Sequence, residues 1–198
     1  WASTQYLAGP DRQRADDVNW AFGDPEVEAI FCLRGGYGTM RILPYLDYEL
    51  IARNPKIITG FSDITGIINP IHTRTGLVTF HGPVGEQNFS DYTLEEYKKV
   101  MVNPSAPVTI ASPPPFEAGE GKVELNNRIT RFVGGKARGR LMGGNLTLLA
   151  HLIGTPYEPD FRDSILFLED QQLIEAKIRD YLERARQIYL EGEEPERP

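Results

Sequence analysis

The sequence lacks the features of secreted, membrane-spanning and nucleic-acid-binding proteins. One cysteine in 198 residues excludes an internal disulfide framework and fits a reducing compartment. No apolar run is long enough to span a membrane. The formal net charge of −7, without a basic patch, argues against a nucleic-acid partner. No signal peptide is present, but the chain begins at Trp1 rather than Met, so we expect its natural N-terminus to lie upstream.

The first hundred residues alternate between strand-like and helix-like segments. Short apolar runs at 28–33, 56–61 and 77–80 are typical of strands. Segments with apolar residues at helical spacing separate them, and Thr93 with Glu96 predicts the capped start of a further helix that runs to about residue 102. This alternation predicts an α/β fold, in which helices flank a parallel sheet.

A change in composition divides the chain into two predicted domains. Residues 104–121 are rich in proline and glycine and predict a linker between an N-terminal domain, 1–103, and a C-terminal domain, 122–198. Within the second domain the pattern predicts strands at 123–133, 136–141 and 164–168, a short helix at 146–153 capped by Asn145, and a longer helix with an apolar stripe between Ile174 and Ile188.

The most informative segment is Thr59-Gly60-Phe61-Ser62-Asp63-Ile64-Thr65. It joins the predicted strand at 56–61 to a segment with isoleucines at helical spacing. A serine at such a junction exposes its hydroxyl beside backbone N–H groups, as in a nucleophile elbow, although the Gly-x-Ser-x-Gly form is absent. The alternative is an ordinary Ser-Asp helix cap, and the segment taken alone favours that cap.

A glycine-rich turn, Arg34-Gly35-Gly36-Tyr37-Gly38, follows the first predicted strand. It lacks the lysine and serine of a P-loop and the spacing of a dinucleotide fingerprint, so it is either a tight turn or a backbone cradle for an anion. Loops that follow parallel strands open at one edge of the sheet. We therefore expect an amide of Gly35 or Gly36 and the amide of Asp63 to point at one carbonyl oxygen beside Ser62.

A serine nucleophile needs a base at neutral pH, and the chain has only three histidines. His72 lies on the helix behind Ser62 and should point away from it, whereas His151 is expected to be a packed side chain. His81 follows a strand and borders the predicted crevice, but no spacing marks it as the base. Glu169 ends the apolar strand at 164–168, where it either orients an imidazole or is a solvated strand-end charge.

Together these segments resemble the L,D-carboxypeptidase family, which includes murein tetrapeptide carboxypeptidases and microcin C immunity proteins. Each motif is short, but they follow one another in the family's order along nearly the whole chain. The principal matches are Tyr6-Leu7-Ala8-Gly9-Pro10-Asp11, Arg34-Gly35-Gly36-Tyr37-Gly38, Gly60-Phe61-Ser62-Asp63-Ile64-Thr65, His81-Gly82-Pro83, Gly143-Gly144-Asn145-Leu146 and Leu166-Phe167-Leu168-Glu169-Asp170.

The resemblance implies a serine peptidase with a Ser-Glu-His triad. A Rossmann-like N-terminal domain would carry the nucleophile, which matches Ser62, and a smaller β-rich, barrel-like C-terminal domain would carry the glutamate, which matches Glu169. The amides of Asp63 and of the Gly35-Gly36 turn match the oxyanion hole. The implied reaction releases the terminal D-alanine from the L,D-peptide bond of murein tetrapeptides during cell-wall recycling. The implied protein is a cytoplasmic homodimer that needs no metal or organic cofactor.

The sequence also departs from the family. Family members continue beyond Pro198, where their triad histidine lies, and the first strand–helix unit is absent before Trp1, so both domains are expected to be incomplete. We therefore expect the 198 residues alone to be nearly inactive. Gly66 and the pair Asn69-Pro70 are expected to weaken the helix after Ser62, and residues 173–179 depart from the family's pattern.

Two other functions stay open. A chain without the histidine can be a non-catalytic protein that binds muropeptides or other peptides through the same crevice. A microcin-type hydrolase would instead cleave aminoacyl or peptidyl nucleotides, and it would need an aromatic or basic nucleobase pocket that the sequence does not reveal.

Overall fold

The computed structural model of the chain describes residues 6–86, 89–113 and 131–170. Within these ranges, three short non-α helices accompany the main elements, namely the 3₁₀ helices Leu43–Tyr45 and Ser62–Ile64 and the π-helical turn Lys98–Val102. The main elements, in chain order, are α1 (Asp11–Gly23), β1 (Ala29–Phe31), α2 (Thr39–Ile42), α3 (Tyr48–Arg53), β2 (Ile57–Gly60), α4 (Thr65–Thr75), β3 (Phe80–His81), α5 (Asp91–Tyr97), β4 (Arg140–Asn145), α6 (Leu146–Leu152) and β5 (Ser164–Glu169).

The first sheet contains three parallel strands in the order β1-β2-β3. Ile30 pairs with Ile58, and Gly60 pairs with His81. Helices connect successive strands, as parallel pairing requires. This arrangement confirms the α/β fold with a parallel sheet. It places the carboxyl ends of β1, β2 and β3 at the same edge of the sheet.

The hydrophobic core lies between the first sheet and its helices. Its fully buried members include Phe22 of α1, Ile51 of α3, Ile58 of β2 and Ile71 of α4. Leu152 of α6 belongs to the same core and is also fully buried. Since burial of such a side chain contributes about 1.5–3 kcal/mol, α6 is held firmly against the N-terminal helices.

The second sheet consists of β4 and β5, which pair in parallel over six residues from Arg140↔Ser164 to Asn145↔Glu169. Hydrogen bonds attach β4 to α4. The Asn69 side chain donates to the carbonyl of Gly143 at 3.0 Å, and the backbone N–H of Asn145 donates to the Thr65 hydroxyl at 3.0 Å. The carboxyl end of the second sheet therefore lies beside the start of α4.

Helix α4 is continuous even though it contains residues that were expected to weaken it. Pro70 lies inside the helix, and its side chain is fully buried. A methyl group on Gly66 would lie 2.6 Å from the Thr39 hydroxyl oxygen, so close packing with α2 requires glycine there. Asn69 is buried and contacts β4. These residues serve packing and docking, and the helix runs unbroken from Thr65 to Thr75.

Several predicted boundaries were also wrong. The N-cap of α5 is Ser90, whose hydroxyl accepts from the backbone N–H of Thr93, so the helix begins at Asp91 and not after Thr93. Two predicted strands are shifted towards the C-terminus: 77–80 is observed at Phe80–His81, and 136–141 at Arg140–Asn145.

Some sequence predictions fall on residues that are not described. Residues 131–133 are not a strand, and the rest of the strand predicted at 123–133 lies outside the described residues. The predicted helix with the stripe from Ile174 to Ile188 also lies outside them. Within the described part of the chain, every helix is too short or too polar to traverse a bilayer.

Candidate active site

Ser62 occupies a sharp turn between β2 and α4. Its φ angle is 60°, a left-handed conformation that is uncommon for residues other than glycine and costs about 1–3 kcal/mol. A methyl group on Gly60 would lie 2.8 Å from the Ile64 side chain, so the tight turn depends on glycine. Phe61 holds the N-cap position of the following 3₁₀ helix, without a side-chain cap bond. The serine is therefore not an ordinary cap, and its backbone has the strained form of an elbow.

The glycine-rich turn after β1 contacts this serine directly. A methyl group placed on Gly35 would lie 3.0 Å from the Ser62 Cβ atom and 3.2 Å from its Oγ atom. Gly36 has a φ angle of 131°, which side-chain-bearing residues rarely adopt. The structure thus brings the Gly35-Gly36 turn and the half-buried Ser62 to one place at the carboxyl edge of the first sheet.

Asp63 joins the two loops. Its carboxylate accepts a hydrogen bond from the backbone N–H of Thr39 at 3.2 Å, and its carbonyl accepts one from the Thr39 hydroxyl at 2.6 Å. Thr39 opens α2, directly after the glycine turn. Burial raises the pKa of the Asp63 carboxyl, and the bonds from Thr39 partly oppose that rise. Asp63 therefore fixes the serine turn against the glycine turn.

Glu169 ends β5 and reaches the same place from the second sheet. The Asn145 side chain and the backbone N–H of Ser62 lie near its carboxylate and favour its charged form. Burial raises the pKa of Glu169, and the neighbouring Asp170 adds to the rise, whereas the polar groups of Asn145 and Ser62 lower it. Glu169 therefore lies beside the serine turn and is more than a solvated strand-end charge.

Asn145 is a site residue that the sequence analysis did not predict as one. Its side-chain oxygen accepts from the backbone N–H of Leu148 at 3.2 Å, which is the predicted helix cap. The same side chain also lies beside Glu169, its partner across the β4–β5 pair, and lowers the pKa of that carboxyl. The cap was visible in the sequence. The second contact depends on strand register, for which the sequence carries no local signal.

The three histidines have different surroundings. His81, at the end of β3, places its Nε2 atom 4.0 Å from Oε1 of Glu169. His72 is turned to the carbonyl of Leu77, with its Nδ1 atom at 2.9 Å, and it lines a separate cavity of about 390 Å³ together with Arg140. His151 is exposed, so the expectation that it is a packed side chain was wrong.

Ser62, Glu169 and the Gly35-Gly36 turn form one cluster. Comparison with known proteins places the chain in a family. The model of the LD-carboxypeptidase N-terminal domain matches residues 1–82, and that of the LD-carboxypeptidase C-terminal domain matches residues 138–190. The two matches together include Ser62 and Glu169, and they cover most of the chain. The chain belongs to the LD-carboxypeptidase family.

Individual relatives agree with this assignment. The chain is 41% identical over 170 residues to a probable murein peptide carboxypeptidase of Bacillus subtilis, covering 83% of this chain and 49% of the relative. It is similar to a muramoyltetrapeptide carboxypeptidase from Oxalobacter formigenes, with a TM-score of 0.68, 29% identity, and 91% and 57% of the two chains covered. It is also similar to the microcin C7 self-immunity protein MccF in complex with aspartyl sulfamoyl adenosine, with a TM-score of 0.73, 28% identity, and 95% and 62% covered. The chain spans about half the length of the curated relatives that it matches.

Proposed function

We propose that the complete protein is a serine carboxypeptidase that hydrolyses the L,D-peptide bond of murein tetrapeptides and releases their terminal D-alanine in cell-wall recycling. Ser62 is the nucleophile, and Glu169 is the triad carboxylate. The triad histidine is proposed to lie outside the 198 residues. We further propose that the enzyme works in the cytoplasm as a homodimer on small muropeptide substrates.

In the proposed mechanism, the Ser62 hydroxyl attacks the carbonyl carbon of the L,D bond, and its proton passes to the histidine that Glu169 orients. The resulting oxyanion is held by the amide of Asp63 and by an amide of the Gly35-Gly36 turn, each donor lowering the barrier by about 3 kcal/mol. Collapse of the tetrahedral intermediate breaks the C–N bond, and the histidine returns the proton to the amine of D-alanine. Water then hydrolyses the acyl-serine in the same way.

The observation that carries this proposal is the conformation of Ser62 and its contacts. A non-glycine residue with a φ angle of 60° is retained where the surrounding structure imposes it, and such strain is concentrated at functional sites. Gly35 lies against the serine side chain on one side, and the Glu169 carboxylate lies near the serine N–H on the other. Helix capping needs neither contact.

The test is D-alanine release from murein tetrapeptide by the longest natural form of the gene product. Ser62→Ala should lower kcat by about 10⁴-fold or more, because the nucleophile is lost while binding is retained. Ser105→Ala, at an exposed position, is the matched control and should leave kcat unchanged. Activity that survives Ser62→Ala would remove Ser62 from its role, and strong turnover by the 198-residue chain alone would contradict the proposed source of the histidine.

A second candidate activity is hydrolysis of aminoacyl or peptidyl nucleotides. It is supported by the similarity to MccF, whose structure was determined with aspartyl sulfamoyl adenosine. The same preparations are assayed with this nucleotide conjugate and with murein tetrapeptide. The substrate that gives the higher kcat/KM identifies the activity. Tight binding of either ligand without turnover, in the longest natural form, would instead support a non-catalytic binding protein.

A further inference from the structure

Two polar atoms face each other across the gap between the two sheets. The Nε2 atom of His81, from the first sheet, lies 4.0 Å from Oε1 of Glu169, from the second. Oε1 is buried and has no hydrogen-bond partner among the described residues. A hydrogen bond between nitrogen and oxygen needs about 2.7–3.2 Å, so a shift of roughly 1 Å would close it.

The imidazole is held in place by its surroundings. The ring of Phe167 lies edge-on at a centroid distance of 5.1 Å, and the ring of Phe61 lies at 6.3 Å. The backbone of His81 is fixed by its pairing with Gly60. The Nδ1 atom of His81 is also buried and has no partner among the described residues. An unsatisfied buried polar group costs about 1–3 kcal/mol, so its retention calls for a reason.

The charges at this contact favour a neutral imidazole. Burial lowers the pKa of His81. Burial also raises the pKa of Glu169, and the charge of Asp170 adds to that rise. A neutral imidazole carries one N–H, which can lie on either nitrogen. The Nε2 atom faces an acceptor, since Oε1 of Glu169 lies 4.0 Å away, whereas Nδ1 has no hydrogen-bond partner among the described residues.

We propose that His81 is a positioning residue for Glu169, with its proton on Nε2 and donated to Oε1 of the carboxylate. The Asn145 side chain and the Ser62 N–H also lie near that carboxylate, and His81 would add a third polar contact. His81 is then not the base that takes the serine proton. The inference deepens the proposed function, because it rests on Glu169 being the triad carboxylate.

The first test needs no activity. The tautomer and titration of His81 are read from long-range ¹H–¹⁵N correlation spectra of the ¹⁵N-histidine-labelled protein, with assignment by His81→Phe. We expect the Nε2–H tautomer at neutral pH. Glu169→Gln should lower the pKa of His81, because a nearby negative charge is removed. An Nδ1–H tautomer, or a His81 titration that is unchanged by Glu169→Gln, overturns the proposal.

The second test uses D-alanine release by the longest natural form. His81→Phe keeps the aromatic packing and removes the donor, whereas His81→Gln keeps an amide N–H near the position of Nε2. We expect His81→Phe to lower kcat by about 10²-fold with little change in KM, as for a misplaced catalytic group. It should also shift the acid limb of the kcat/KM profile to higher pH, since a carboxylate that loses a donor becomes less acidic. His81→Gln should restore most of kcat.

The other outcomes are decisive as well. Full activity of His81→Phe would show that only ring packing matters, and losses by both variants as large as that of Ser62→Ala would make His81 the base. Either result overturns the positioning role. Failure of the proposed function is distinguishable, because it appears as activity surviving Ser62→Ala while the His81 tautomer is unaffected.

Discussion

The contact between Gly35 and Ser62 allows a sharp test of the site, because Gly35→Ala adds one methyl group directly against the serine. The methyl carbon would lie 3.0 Å from Cβ and 3.2 Å from Oγ of Ser62. Gly35 is not among the glycines with a positive φ angle, so alanine fits its backbone. The effect of the substitution should therefore come from the contact alone.

The size of the effect follows from these distances. Ordinary carbon contacts begin at about 3.5 Å, so the loop and the serine must separate by roughly 0.5 Å. Asp63 and Thr39 tie the loops together, so the displacement cannot be absorbed by free movement of one loop. A misplacement of about 1 Å costs about 10²-fold in rate. We therefore expect kcat to fall by about 10-fold to 10²-fold.

The assay is D-alanine release from murein tetrapeptide by the longest natural form, with the free energy of unfolding measured in parallel by urea titration. Overpacking typically costs about 1–3 kcal/mol, which leaves a folded enzyme in which kcat can be measured. Gly135→Ala is the matched control, since a methyl group there meets open space. A Gly35→Ala enzyme with unchanged kcat would refute the contact as a determinant of serine position.

Two further predictions concern stability. Asn69→Ala removes the hydrogen bonds to Gly143 and Thr65 and should lower the free energy of unfolding by about 1–3 kcal/mol in urea titration, whereas Asn103→Ala, at an exposed position, should change it by less than about 0.5 kcal/mol. The pKa of Asp63 is raised in the folded state above its unfolded value of about 3.9. The stability that the protonated carboxyl contributes is therefore fully present below the unfolded pKa and is lost as pH rises through the folded pKa. Asp63→Asn should therefore gain stability over the wild type as pH increases above 4, and a difference that is constant with pH would contradict this sign.

The surroundings of Ser62 were the part of the site that local sequence pattern predicted best. An apolar run followed by isoleucines at helical spacing indicates a strand that leads into a helix, and the structure has β2 at Ile57–Gly60 and α4 from Thr65. The prediction succeeds because the strand and helix spacings of apolar residues are both local properties of the chain. The glycine turn after β1 was predictable for the same reason, and its meeting with Ser62 followed from parallel strand topology.

Strand β4 extends beyond the end of the strand predicted at 136–141. Its last residues include Gly143 and Gly144, and glycine is a poor strand former. In the structure β4 extends to Asn145, because the space where a Gly143 side chain would lie is filled by the Phe167 carbonyl. A side chain on Gly144 would collide with Thr65. Glycine here permits close approach between elements, and that requirement arises from tertiary packing.

The position of Glu169 is the feature that depends most on these tertiary contacts. Its carboxylate reaches Ser62 because β5 is paired with β4, and β4 is bonded to α4 by Asn69 and Thr65. Asn69 was interpreted from the sequence as a flaw in the helix after the serine. It is better understood as the residue that sets the distance between the two halves of the site. Its side chain bonds α4, which follows Ser62, to β4, which pairs with the strand that carries Glu169. A helix of better helix formers would be more stable alone and would have no buried amide to hold the second sheet in place.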